Sequence, residues 1–348
     1  MDISRIREGF KAHYTARIVT VDSHTAGEGT RLIVGGIDPI PGDTMKDKLF
    51  YYQAHLDHIR LLLTREPRSG EGLLAAHLTE PTSPGGDFGL IYMDARRYPY
   101  LCGHATIGAV TTLIETGVIS AEAPEMTLKV DTPSGPMSAR ALIVGGRVES
   151  VAIRMVPSFV LRTAQPLEVP GFGRFDIDLV YAGGFFAMVS LDQVARIGLD
   201  TRPQRNPRLI ELGMAVIEAA NEQLSVAHPT RPEVITVDVT EFYDPAGHEQ
   251  GRGKSIVIYG ESHMDRSPCG TGTTAKMTLL HHRGLLAVKQ SYLNEGPLGT
   301  RFEGRILEET TVGDHPAVAA EISGSAQITG YHEFVLDRQD PFPEGFIL

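Results

Sequence analysis

The chain has 348 residues, more than a single domain usually holds, with 42% apolar and 22% charged residues. That balance excludes a disordered or fibrous chain and lets a sizeable core form without a disulfide or metal staple. Asp and Glu (43) outnumber Lys and Arg (32), giving a net charge of −11. This argues against nucleic-acid and acidic-membrane partners, which call for a basic field.

Only two cysteines occur, Cys102 and Cys269, too few for a disulfide framework and without a CxxC start for a zinc site. The opening MDISRIREGF is charged and lacks an apolar core, so it does not read as a secretory signal. With no run of roughly 18 apolar residues to span a membrane, the expected compartment is the reducing cytoplasm, where both thiols stay free.

In chain order, β-branched and aliphatic runs predict strands at 17–22 and 31–35. Met45, Leu49, Tyr52, Leu56, Ile59 and Leu63 recur at steps of three and four, predicting one helix over 44–64. Strands at 88–94 and 137–144 flank a helix at 102–116 that Gly117 can cap. Over 174–181, strict alternation sends Phe175, Ile177, Leu179 and Tyr181 to a core, with Asp176 and Asp178 facing water. A helix over 207–224 opens on Pro207; a strand at 254–260 precedes a helix at 269–283, which ends at Gly284. Many strands with a few interspersed helices indicate an α+β architecture.

The chain also repeats itself. CGHATIGAVTTLIETG (102–117) and CGTGTTAKMTLLHHRG (269–284) share Cys, Gly, Thr, Thr, Leu and Gly at the same places without a gap. Two similar domains follow: 1–155 carrying Cys102 and 156–324 carrying Cys269, with the strands of 325–348 free to return to the first.

Each cysteine precedes a glycine that opens a helix. Helix N-termini offer unpaired N–H groups and partial positive charge. They favour a thiolate, so both thiol pKa values are expected below the usual value of about 8.5. The N–H groups of Gly103, His104, Gly270 and Thr271 can cradle a small carboxylate, which the glycines allow to come close. A carboxylate shared between two such turns would have one thiol on each side of its neighbouring carbon. That suits removal of a proton from one face and its return on the other. A lone cysteine is more often a small buried hydrophobe; the repeat is what favours a function. A disulfide between the copies is the remaining reading.

DRSPCGTGTTAK (265–276), LCGHATIG (101–108) and VDSHTAGEGTR (21–31) resemble the signature segments of the proline racemase family. HLDHIRLLLTREPR (55–68) and the closing GYHEFVLDRQDPFPEGFIL (330–348) extend the likeness to nearly the whole chain. The resemblance implies two diaminopimelate-epimerase-like domains related by pseudo-twofold symmetry, each a curved sheet around a central helix. It implies Cys102 and Cys269 as acid and base of a 1,1-proton transfer, with neither pyridoxal phosphate nor metal. It places the substrate carboxylate on the Cys-Gly turns, and Asp265 and His104 at the ring nitrogen. Having both cysteines points away from the family's dehydratases. The sequence departs from the family's usual segments at Ser69, Leu101 and Gly184.

The remaining signals are weaker. Gly270 to Ala275 formally fits a dinucleotide fingerprint, but no βαβ unit surrounds it. His55 and His58 lack a third metal ligand nearby, His281 and His282 suit a helix C-terminus, and Asp22-Ser23-His24 cannot align as a triad. The sequence therefore reads as a cofactor-independent racemase or epimerase acting on proline or a hydroxyproline, its only partner class a small imino acid. The alternatives are a 4-hydroxyproline 2-epimerase, a non-catalytic imino-acid-binding protein and a dinucleotide oxidoreductase. The oligomeric state is open, a homodimer included.

Overall fold

A computed structural model describes residues 5–347 apart from 15, 71, 203–205, 246–250 and 261. Residues 1–4 of the opening segment and Leu348 of the closing one, both read above, lie outside the described residues.

The chain forms two units, one of Met1–Thr25, Gly29–Val151 and Ser325–Leu348, the other of Ala26–Glu28 and Ala152–Gly324. Along the first run α1 (Arg5–His13), β1 (Ala16–Thr25), β2 (Glu28–Gly35), α2 (Met45–His55), α3 (Asp57–Thr64), β3 (Leu74–Thr79), β4 (Phe88–Met93), α4 (Gly103–Glu115), β5 (Glu125–Thr132) and β6 (Gly135–Val144); β7 (Arg147–Arg154) reaches the boundary. Along the second run β8 (Ser158–Val169), β9 (Gly173–Tyr181), β10 (Phe185–Ser190), α5 (Leu191–Arg196), α6 (Pro207–Gln223), β11 (Val237–Tyr243), β12 (Arg252–Tyr259), β13 (His263–Met264), α7 (Gly270–His282), β14 (Ser291–Glu295), β15 (Arg301–Val312) and β16 (His315–Gly324). The chain then gives β17 (Ala326–Leu336) to the first unit, antiparallel to β1.

The repeat seen in the sequence is also a repeat of topology. In the first unit β2 runs parallel to β3, β3 antiparallel to β4, β4 parallel to β5 and β5 antiparallel to β6. In the second, β10, β11, β12, β14 and β15 follow the same alternation. Parallel neighbours need a crossover. The crossovers are α2–α3 and then α4 in the first unit, α5–α6 and then α7 in the second. Thus α4 and α7 occupy the same topological place, and each begins at its cysteine.

Burial explains the composition of these two helices. From His104 to Ile114 every residue of α4 is buried, as is every residue of α7 from Gly272 to Leu280. A helix covered all round must be apolar or internally satisfied. Small residues let the strands approach: a Cβ at Gly108 would lie 2.8 Å from Ser23 Oγ. Thr106 and Thr278 turn their hydroxyls back onto the carbonyls of Cys102 and Thr274. Gly117 and Gly284, at φ 77° and 71°, end the two helices as expected. The second unit has a further core between α6 and the sheet, where Phe175, Ile177, Leu179 and Tyr181 meet Leu209, Leu212 and Val216.

Two expectations are corrected. The single helix over 44–64 is broken at Leu56 (φ −124°, ψ 11°) into α2 and α3. Both halves feed one core through Leu49, Tyr52, Ile59 and Leu63, so the apolar period runs straight across the break. His55 and His58 fall on either side of it, both exposed. Asp178 does not face water. It is buried, where Arg283 from the end of α7 (2.6 Å) and the N–H of Ala164 (3.1 Å) satisfy its carboxylate. Among the described residues no helix is long and apolar enough to cross a membrane.

Candidate active site

In the first unit Cys102 is the N-cap residue of α4, with extended backbone and a half-buried side chain. Its Sγ lies 3.3 Å from Nδ1 of His104, which is itself buried. Two contacts set this turn: the Thr25 hydroxyl donates to the carbonyl of His104 (2.8 Å), and Tyr92 shares a 2.6 Å hydrogen bond with Thr106. A Cβ at Gly103 would meet no protein atom within 4 Å, so the N-terminus of α4 opens onto free space.

In the second unit Cys269 is the N-cap residue of α7, and its backbone is strained. A φ of 60° at this non-glycine residue costs about 1–3 kcal/mol and persists only where the surroundings enforce it. Here the enforcing contacts are visible. Asp265 Oδ1 accepts from the N–H (2.8 Å) and the hydroxyl (2.7 Å) of Ser267, and Ser267 Oγ accepts from the Cys269 N–H (3.0 Å). Asn294 donates to the carbonyl of Pro268 and to Thr273 Oγ1. The sulfur accepts from the Gly272 N–H at 3.3 Å and lies 3.4 Å from Thr271 Oγ1. As at Gly103, little protein stands over Gly270, whose Cβ would find only Met155 Cε, 4.0 Å away.

The expectation of a lowered thiol pKa fails at Cys269. Burial pushes its pKa well up, and the Asp265 carboxylate adds to the rise; the Thr271 hydroxyl and Gly272 N–H offset it only partly. Helix dipole and N–H groups are present, but exclusion from water outweighs them. Burial therefore favours the thiol over the thiolate at Cys269.

Sequence reasoning passed over several supporting residues. Within VDSHTAGEGTR, Asp22 does not serve a triad: it takes both Nε and a terminal nitrogen of the buried Arg31, whose remaining nitrogen binds the carbonyls of Leu63 and Arg68. Glu28, fully buried, accepts from His263 Nε2 (3.0 Å) and the Arg266 N–H (2.9 Å), and so anchors the loop that carries Asp265. Its carboxylate at the very start of β2 was the available signal. Two buried ionisable groups accompany α7: Lys276 on the helix itself and Glu241 on β11. Glu241 could have been noticed as an acid in phase with Val237, Val239 and Tyr243 along one strand. No group of three or more His, Cys, Asp and Glu among the described residues is placed to hold a metal.

Comparison with known proteins gives the family. The proline racemase family model matches residues 20–347. The proline racemase of Clostridioides difficile is 41% identical over 335 residues, covering 96% of this chain and 99% of the relative. The 4-hydroxyproline 2-epimerase of Streptosporangium roseum is 39% identical over 328 residues, covering 94% and 97%. The crystal structure of a hydroxyproline epimerase from Agrobacterium vitis, with bound trans-4-hydroxy-L-proline, superposes with a TM-score of 0.86 at 30% identity, covering 97% of this chain and 96% of that one. The chain belongs to the proline racemase family and is an isomerase of the racemase and epimerase class.

Proposed function

We propose that the chain inverts the α-carbon of proline or a hydroxyproline by moving one proton between Cys102 and Cys269. The observation that carries this reading is the equivalence of the two cysteine positions. Each caps the buried helix of its own unit at the same point of a repeated topology. In one direction Cys102 as thiolate takes the α-proton while Cys269, held protonated by burial, delivers its own to the opposite face. The reverse reaction exchanges the roles.

The substrate carboxylate lies on the N–H groups of Gly103, His104, Gly270 and Thr271, where helix N-termini favour an anion. Asp265 and His104 address the ring nitrogen; a secondary ammonium in a closed site needs a counter-charge. No step calls for a cofactor. The names and the bound ligand of the relatives support proline and 4-hydroxyproline as the substrates to try first. We place the enzyme in the cytoplasm, where both thiols stay reduced. Its oligomeric state, a homodimer included, enters none of these steps.

Chiral chromatography after incubation with each stereoisomer of proline and 4-hydroxyproline tests the reading. Interconversion of one pair at Cα, lost in both Cys102→Ser and Cys269→Ser, is expected. Full turnover by either variant contradicts the assignment, and binding without interconversion leaves a capture protein instead.

A further inference from the structure

The two Cys-led helices differ where their surroundings matter most. In the gapless repeat, Ala105 stands opposite Gly272 and Ala109 opposite Lys276. All four positions are buried. The strand in the place of β11 in the first unit, β3, contains no acidic residue. At these matching positions, among the described residues, the second unit has a buried amine on its Cys-led helix and a buried carboxyl on the neighbouring strand, and the first unit has neither.

Their placement is specific. A Cβ at Gly272 would lie 3.1 Å from Glu241 Oε2 and 2.9 Å from Val257 Cγ2, so the carboxyl occupies the space that Ala105 fills with its own methyl in the other copy. The N–H of that same Gly272 is the one that holds the Cys269 sulfur. Ser255 hydrogen-bonds the Glu241 carboxyl, whose charge burial otherwise disfavours. Lys276, one turn further along α7, donates to the Lys254 carbonyl (2.8 Å) and reaches Asn294 Oδ1 (3.5 Å); Asn294 in turn braces Pro268 and Thr273 at the helix start. A Cβ at Gly253 would collide with both Lys276 Nζ and the Tyr292 hydroxyl, so the backbone leaves room for the amine.

Burial raises the Glu241 pKa to about 8 and lowers that of Lys276 to about 8. The carboxyl therefore takes up charge only above neutrality, and that charge opposes a thiolate on Cys269. The titratable groups facing Cys269 are Asp265 from the preceding loop and Glu241 from β11. Those facing Glu241 are Lys276 on α7, Tyr292 on β14 and Tyr243 on β11, while Asp244, just past β11, faces Lys276 and Tyr292.

We propose that Glu241, with Lys276 as its counter-group, is a positioning residue that acts on Cys269 through the first turn of α7 and keeps this sulfur the resting acid, an asymmetry the first unit does not build. This rests on the acid–base role assigned to Cys269, but its test does not depend on turnover. Because the chain has two cysteines, Cys102→Ser leaves Cys269 as the only thiol. The rate of its alkylation by iodoacetamide, followed against pH, then gives the thiolate midpoint directly.

Adding Glu241→Gln should lower that midpoint by about one pH unit, the size of effect a removed neighbouring charge produces. An unchanged or higher midpoint overturns the proposal. So does faster alkylation at every pH with the midpoint unmoved, which is the signature of a merely loosened turn. Should the Gln variant fail to fold by circular dichroism, Glu241→Met removes the same charge without burying an amide, and the same midpoint shift is required of it. Racemisation by the Cys102→Ser variant would refute the two-thiol reading and leave this midpoint comparison intact.

Discussion

Cys102 Sγ and His104 Nδ1 are 3.3 Å apart in the first turn of α4. The imidazole can donate to the thiolate or accept from the thiol, so it can follow the sulfur through either half of a proton transfer. The Thr25 hydroxyl on the His104 carbonyl fixes the turn. His104→Ala should lower kcat by about 10²-fold, in the range for a positioned acid–base partner, with the fold unchanged by circular dichroism. A kcat within twofold of the parent would remove His104 from the chemistry.

Gly103 separates a folding role from a binding role. A Cβ there meets nothing within 4 Å, and alanine is about 1 kcal/mol better than glycine inside a helix. Gly103→Ala should therefore keep or raise the melting temperature. If the substrate carboxylate comes down onto this turn, the new methyl stands in its way, and KM should rise about tenfold or more, the loss of one charge-assisted hydrogen bond. An unaltered KM would show that the anion binds elsewhere.

Glu28 acts on the site from a distance. By accepting from His263 and from the Arg266 N–H, it holds the loop around Asp265. Glu28→Ala removes both acceptors, and small misplacements of binding groups can cost about 10²-fold in kcat/KM. We expect a loss approaching that size, expressed mainly in KM, and partial rescue by Glu28→Gln, whose carbonyl can still take the Arg266 N–H. Equal losses in the two variants would mean that the charge, not the anchoring, is what counts.

His77 makes stability depend on pH. Its ring is buried against Tyr52 with the Lys48 ammonium near, and its pKa falls from 6.5 to about 4. The unfolded chain binds a proton at this residue below about pH 6.5, whereas the folded chain does not until about pH 4. Stability is thus full above 6.5 and is lost as pH falls from 6.5 to 4, by about 3 kcal/mol in total. Urea melts of the parent and His77→Gln at pH 7.5 and pH 4.5 should show the variant losing markedly less on acidification. Equal losses would mean that the imidazole is not the group responsible.

The parts legible in the sequence are those written locally. A cysteine followed by glycine, with a terminal glycine fifteen positions after the cysteine, marks each buried helix, because an N-cap and a C-cap are properties of a few neighbouring residues. What long-range packing decides was not legible. The break at Leu56 hides because the apolar period continues through it. Asp178 alternates as a surface residue should, yet Arg283, 105 positions later, comes back to bury it. The raised pKa of Cys269 follows from burial and from Asp265, which outweigh the helix start it has in common with Cys102. Glu241 and Lys276 are 35 residues apart in sequence and are joined only by the sheet folding around α7.

The most direct test is to run the reaction in D2O and stop it early, reading Cα by NMR in both the recovered substrate and the product. Two thiols working on opposite faces predict deuterium in the product enantiomer while the remaining substrate keeps its protium. Early label appearing equally in both enantiomers, or in neither, would contradict proton exchange between Cys102 and Cys269.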